Sequence, residues 1–158
     1  MTTHSRFVAL VVLLCAAVSS VVNAQHADHA AMLKQRGAAA MGFDQDKAVH
    51  HFLVMPDGGT IQVEARDTAD TATLAAIRTH LRQIAISFSA GNFDAPFATH
   101  GEVPPGVPAT RQLKSAIKYR FEETANGGRV RIATTNADAV AAIHAFLRYQ
   151  IREHRTGD

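Results

Sequence analysis

"HHFLVMPDGGTIQVEA" (His50 to Ala65) decides the fold. Two runs rich in β-branched and apolar residues flank Pro-Asp-Gly-Gly. Asp-Gly between such runs signals a hairpin, because a type I′ turn needs positive φ at both central residues. With Asp57 and Gly58 as those residues, Met55 opposes Thr60, Val54 opposes Ile61 and Phe52 opposes Val63. His51 then opposes Glu64, and His50 opposes Ala65. Directly opposed residues share a face. One face therefore carries His50, Phe52, Val54, Ile61 and Val63, and the other His51, Leu53, Met55, Gln62 and Glu64. The adjacent histidines point to opposite sides and share no ion unless the strand bulges.

The pattern returns in "IKYRFEETANGGRVRIAT" (Ile117 to Thr134), with Asn126-Gly127 as the expected turn. This pairing sets Phe121 against Ile132, Tyr119 against Thr134 and Glu122 against Arg131. A shift of 69 positions lays Phe52 on Phe121, Gly58-Gly59 on Gly127-Gly128, Ile61 on Val130 and Val63 on Ile132. Each hairpin is followed by a helix. The first, in "DTADTATLAAIRTHLRQIAISFSAG" (Asp67 to Gly91), has a cap at Asp67 or Asp70, a stop at Gly91 and the stripe Leu74, Ile77, Leu81, Ile84 and Phe88. The second, "ADAVAAIHAFLRYQIREH" (Ala137 to His154), shows Val140, Ile143, Leu147 and Ile151. A three-residue deletion aligns "AAIRTHLR" (Ala75 to Arg82) with "AAIHAFLR" (Ala141 to Arg148). The expected fold is α+β: duplicated ββα units forming a four-stranded antiparallel sheet with two helices packed on one face. The units span about 49–91 and 117–155 within one domain, 49–158. A Pro-rich segment, 92–110, reads as the loop between them, and "TRQLKSA" (Thr110 to Ala116) as one or two helical turns. Residues 25–48 read as a short helix and a tether.

The first 24 residues read as a secretory signal: Arg6, then a 12-residue apolar run (Phe7 to Val18), then "VNA" ending at Ala24. That run is too short to span a bilayer as a helix. Cleavage after Ala24 leaves no stable membrane anchor and removes Cys15, the one cysteine of the 158 residues. The remaining chain has no disulfide, thiolate ligand or cysteine nucleophile, and the expected location is the periplasm or outside the cell. The whole chain carries 16 Lys and Arg against 14 Asp and Glu, too balanced to point to nucleic acid. Nine histidines are the compositional oddity.

"HADHAAM" places His26, His29 and Met32 at helical spacing. Imidazole with thioether suits copper, which an exported protein meets without competing thiols. A cut one residue earlier would expose Ala-Gln-His, a Cu(II) chelator, although Asn23 is a poor residue to cut after. His100 lies in the Pro-rich segment "FATHGEVPPGVP" (Phe97 to Pro108) and, with His51, forms the expected folded metal site. Lys118, Arg120, Arg129 and Arg131 make one face of the second hairpin basic, an expected anion site. His80 and His144 flank the helix stripes. His154, in the last helical turn, is accounted for by the helix dipole. Val49, Leu53 and Met55 leave the outer face of the first hairpin more apolar than water favours. That face calls for a covering segment, a homodimer or a periplasmic protein partner. No G-x-S-x-G, H-E-x-x-H, P-loop, dinucleotide or C-x-x-C signature occurs, and the reading leans away from an enzyme.

With "MGFDQ" (Met41 to Gln45), "HHFL", "THG", "PPGV" and "EHRTGD" (Glu153 to Asp158) in view, the chain from about Met41 onward resembles a group of small exported bacterial proteins. Proteins of this appearance are sometimes labelled aspartate carbamoyltransferase. That longer cytosolic enzyme binds carbamoyl phosphate through a Ser-x-Arg-Thr turn. The nearest string here, "AIRT" (Ala76 to Thr79), lacks the serine and sits within a helix, so the label does not fit. The resemblance implies export and carries over no site residues. The expected function is an exported binding protein for a transition metal, copper first. The alternatives are a non-metal interaction or dimerisation module and, more weakly, a hydrolase or transferase built on His100 and the basic hairpin.

Overall fold

A computed structural model describes residues 31, 32 and 35–158. The proposed signal peptide, His26 and His29 lie outside the described residues. Arg36–Asp158 forms one compact unit. In it a helical segment ending at 41 and a 3-10 turn (Gln45–Lys47) lead into β1 (Ala48–Met55) and β2 (Gly58–Ala65). Then come α1 (Thr71–Ser89), α2 (Asp94–His100), α3 (Val107–Gln112), β3 (Ile117–Thr124), β4 (Gly127–Thr134) and α4 (Ala137–His154). The four strands form one antiparallel sheet in the order β1-β2-β4-β3, and the fold is α+β as expected.

The duplication is visible strand by strand. β1 and β3 begin 69 positions apart, at Ala48 and Ile117, and β2 and β4 at Gly58 and Gly127. At the centre of the sheet Ile61 pairs with Val130, its own repeat equivalent, so a pseudo-twofold axis passes between them. Each helix crosses over to the other half. α1 packs mainly on β3 and β4, and α4 on β1 and β2. Two glycines make this docking close. A Cβ on Gly59 would lie 2.2 Å from Leu147 Cδ1, and one on Gly128 would lie 3.3 Å from Leu81 Cδ1. Gly59 and Gly128 are repeat equivalents, as are Leu81 and Leu147. Each half thus supplies the leucine that fills the other's glycine notch. Ile77, Leu81, Phe88, Val130, Ile132, Ile143 and Leu147 are almost fully buried in the resulting core.

The strand register differs from the expected one by two residues in both hairpins. Met55 opposes Gly58, Phe52 opposes Ile61, and His51 opposes Gln62 rather than Glu64. In the second hairpin Phe121 opposes Val130, Tyr119 opposes Ile132 and Glu122 opposes Arg129. Pro56 is the reason in the first. Its ring holds φ negative, which suits the second position of a type I turn with glycine at the fourth and excludes type I′. Gly58, at φ +137, takes that fourth position. A shift of two preserves the faces, so His50 still points to the helices and His51 away from them.

The segment expected as a loop is largely helical. Pro96 and Pro108 sit in the first turns of α2 and α3, where the proline costs no intrahelical hydrogen bond. His100 is therefore the last residue of a helix closed by Gly101 at φ +76, not a loop residue. The caps of the long helices follow the sequence reading. Asp70 accepts from the Thr73 N–H, and Asn136 from the Ala139 N–H. Among the described residues no helix is long and apolar enough to cross a membrane.

Candidate functional site

Four elements bring four histidines to one cavity on the helix side of the sheet: His50 from β1, His80 from α1, His100 from α2 and His154 from α4. The His50 and His154 ring centroids are 5.6 Å apart, and those of His100 and His154 5.2 Å. Phe43 stacks on His50 at 6.2 Å and meets the His80 ring edge-on at 5.9 Å. Met41, Thr99 and Gln150 add polar and polarisable lining, with Phe52, Ile61 and Val63 as the apolar floor. The Gln150 carbonyl oxygen can only accept, so His100 donates from Nε2 across 2.9 Å.

Repeat equivalence shows how unusual this cluster is. His50 stands where the other half has Tyr119, His80 where it has Phe146, and His154 where it has Phe88. Phe88 meets Tyr119 and Phe146 edge-on, each at 5.9 Å, so these equivalent positions form an aromatic cluster. One backbone plan thus carries aromatic hydrocarbon rings at one set of positions and imidazoles at the equivalent set, with Phe88 and Phe146 lining the same cavity as the histidines. Packing alone does not require histidine at these places.

Partial burial sets the charge state. Desolvation lowers the His50 pKa to about 4, helped by His80 and His51. It lowers His80 to about 4. It lowers His154 to about 3, with His50 and His100 adding repulsion. All three are neutral imidazoles at neutral pH, with nitrogen lone pairs available to a ligand. His154 is not the cation at a helix C-terminus that its position suggested. The His50 Nε2 and Gln150 Nε2 atoms are sealed from solvent with no hydrogen-bond partner among the described residues. Such atoms mark a place for a bound group or a water.

The cavity measures about 60 Å³. That admits an ion with a water or two, and is well below the roughly 300 Å³ at which sites for drug-sized organic ligands begin. Among the described residues no carboxylate lines it, so it lacks the anionic oxygen ligands on which calcium and magnesium sites are built. Among the described residues no group of three His, Cys, Asp or Glu side chains is placed to hold an ion.

The sequence-selected residues fall elsewhere, His100 excepted. His51 lies on the outer face, where its Nδ1 is 3.0 Å from Asp158 Oδ1, while Asp158 Oδ2 accepts from the Phe52 N–H at 3.0 Å. The sheet separates His51 from His100, and the expected pair is not formed. Met32 is 48% exposed. In the basic hairpin, Glu122 pairs with both Arg120 and Arg129, and Asp57 with Arg131, so three of the four cations already have carboxylate partners. Lys118 is exposed on β3. His144 donates from Nε2 to the Met55 carbonyl. Leu53 and Met55 remain 41% and 37% exposed on the outer face. Compared with protein-family models, curated proteins and solved structures, the chain matches none.

Proposed function

We propose that this chain is an exported binding protein whose ligand is a transition-metal ion held in the histidine cavity. The observation that carries this reading is the replacement of Tyr119, Phe146 and Phe88 by His50, His80 and His154 at equivalent places in one fold. Burying imidazole instead of an aromatic hydrocarbon costs stability unless its nitrogens are used. Neutral imidazole beside the Met41 thioether is a donor set for late first-row metals. Export would place the site where no cytosolic thiol competes.

The test is titration of purified, tag-free, metal-free chain with Zn(II), Ni(II), Cu(II) and, without oxygen, Cu(I), followed by the imidazole NMR signals. Stoichiometric shifts at His50, His80, His100 or His154 are expected. The variant His50→Tyr/His80→Phe/His154→Phe, which copies the other half, is expected to bind nothing in the cavity. A wild-type chain whose cavity signals respond to none of these ions sinks the reading. A second reading, an interaction or dimerisation surface, draws on the exposed Leu53 and Met55. A concentration-independent monomer in light scattering would count against its homodimer form.

A further inference from the structure

Resting on the metal-binding reading, we infer that the ion is Cu(I), held by His50, His154 and the Met41 thioether rather than by a three-imidazole set. Three observations lead there. First, among the described residues no anionic side chain lines the cavity. A metal entering it keeps its full charge in a poorly solvating site, and the Born cost rises with the square of the charge. A divalent ion there costs about four times as much as a monovalent one. Calcium, magnesium and zinc sites supply carboxylates or thiolates to offset that charge, or expose the ion to water.

Second, the donors are few and soft. No trio of His, Cys, Asp or Glu converges among the described residues, which disfavours tetrahedral zinc. Two imidazoles and a thioether make a low-coordinate nitrogen–sulfur set of the kind Cu(I) accepts. The 5.6 Å between the His50 and His154 centroids lies within the roughly 5–6 Å expected when two imidazoles share one ion at ordinary metal–nitrogen lengths. Third, the His50 Nε2 is sealed and has no hydrogen-bond partner among the described residues. His100, donating from Nε2 to Gln150, stands edge-on against the His154 ring and acts as a positioning residue.

The experiment is anaerobic competition of the full chain against a Cu(I) chelator, alongside Zn(II) titration, with X-ray absorption at the copper edge. One Cu(I) per chain is expected, with a mixed nitrogen and sulfur first shell. Met41→Leu is expected to remove the sulfur scatterer and weaken Cu(I) binding by roughly tenfold or more. His26→Ala/His29→Ala/Met32→Leu is expected to leave the cavity site intact. Zn(II) binding in the cavity more tightly than Cu(I) overturns the inference. So does a Cu(I) shell without sulfur, or one that Met41→Leu does not change. Each of these leaves the broader metal reading standing. No metal of any kind in the cavity defeats both. Circular dichroism shows whether each variant has folded. Should a histidine variant not fold, Met41→Leu and the wild-type absorption spectrum still decide.

Discussion

Acidification of the metal-free chain is the sharpest test of the half-buried histidine cluster. His50, His80 and His154 have folded pKa values of about 4, 4 and 3, against an ordinary 6.5 once unfolded. Between these limits the unfolded chain binds three protons that the folded chain refuses, so stability rises with pH. It is undiminished above 6.5 and is lost as pH falls towards about 4. Each proton contributes about 1.4 kcal/mol per pH unit, and three together approach a slope of about 4 kcal/mol per pH unit near pH 5. A domain of ordinary stability has only about 5–15 kcal/mol in total, so acid unfolding is expected within this window. The carboxylates with lowered pKa values, Asp57, Glu122 and Asp158, act in the same direction at lower pH. The assay is urea unfolding at constant ionic strength from pH 7.5 to 4.5. His154→Phe, His80→Phe and His50→Tyr each remove one proton from the slope and keep an aromatic ring that the repeat already accommodates. A flat stability profile between pH 6.5 and 4.5 would refute the buried-neutral assignment. An unchanged slope in all three variants would refute the attribution to these residues.

Gly59→Ala is expected to destabilise by roughly 1–3 kcal/mol or more, since its Cβ meets both Leu147 and the Leu53 carbonyl, with urea midpoints as the measure. Gly128→Ala, with looser contacts, is expected to cost less in the same assay. Leu81→Ala, almost fully buried, should lose about 2–5 kcal/mol in urea unfolding. Asn136→Ala removes the α4 cap and should lose about 1 kcal/mol, read from the same unfolding curves.

Local rules carried the sequence reading as far as the strands, the long helices, the repeat and the faces of the sheet. Alternation and stripes report on single elements, and Phe52, Val63, Leu81 and Leu147 all lie where their periodicity puts them. The register differs because the turn is centred on Pro56-Asp57 rather than Asp57-Gly58: proline's negative φ suits the second turn position, and Asp57 does not take the positive φ that type I′ requires. α2 was hidden because Pro96 reads as a breaker everywhere except in a first turn. The histidine cavity is not legible locally, because its members come from four elements and meet only through the helix crossover. A signal was present all the same. Carried through every position, the repeat alignment sets His50 against Tyr119, His80 against Phe146 and His154 against Phe88, three exchanges of aromatic for imidazole in register.

The crossing of the helices also governs when the chain can fold. The apolar face of β1 and β2 is covered by α4, which ends at His154, and the central β2–β4 pairing joins residues such as Ile61 and Val130. No early segment can complete a core from its own neighbours. Long-range closure has to precede most of the burial, which makes folding slow and concerted. During synthesis the first hairpin and helix must wait, unprotected, for the last helix to emerge. That delay would suit the export proposed for the chain, because a protein threaded across a membrane must reach it before it has folded.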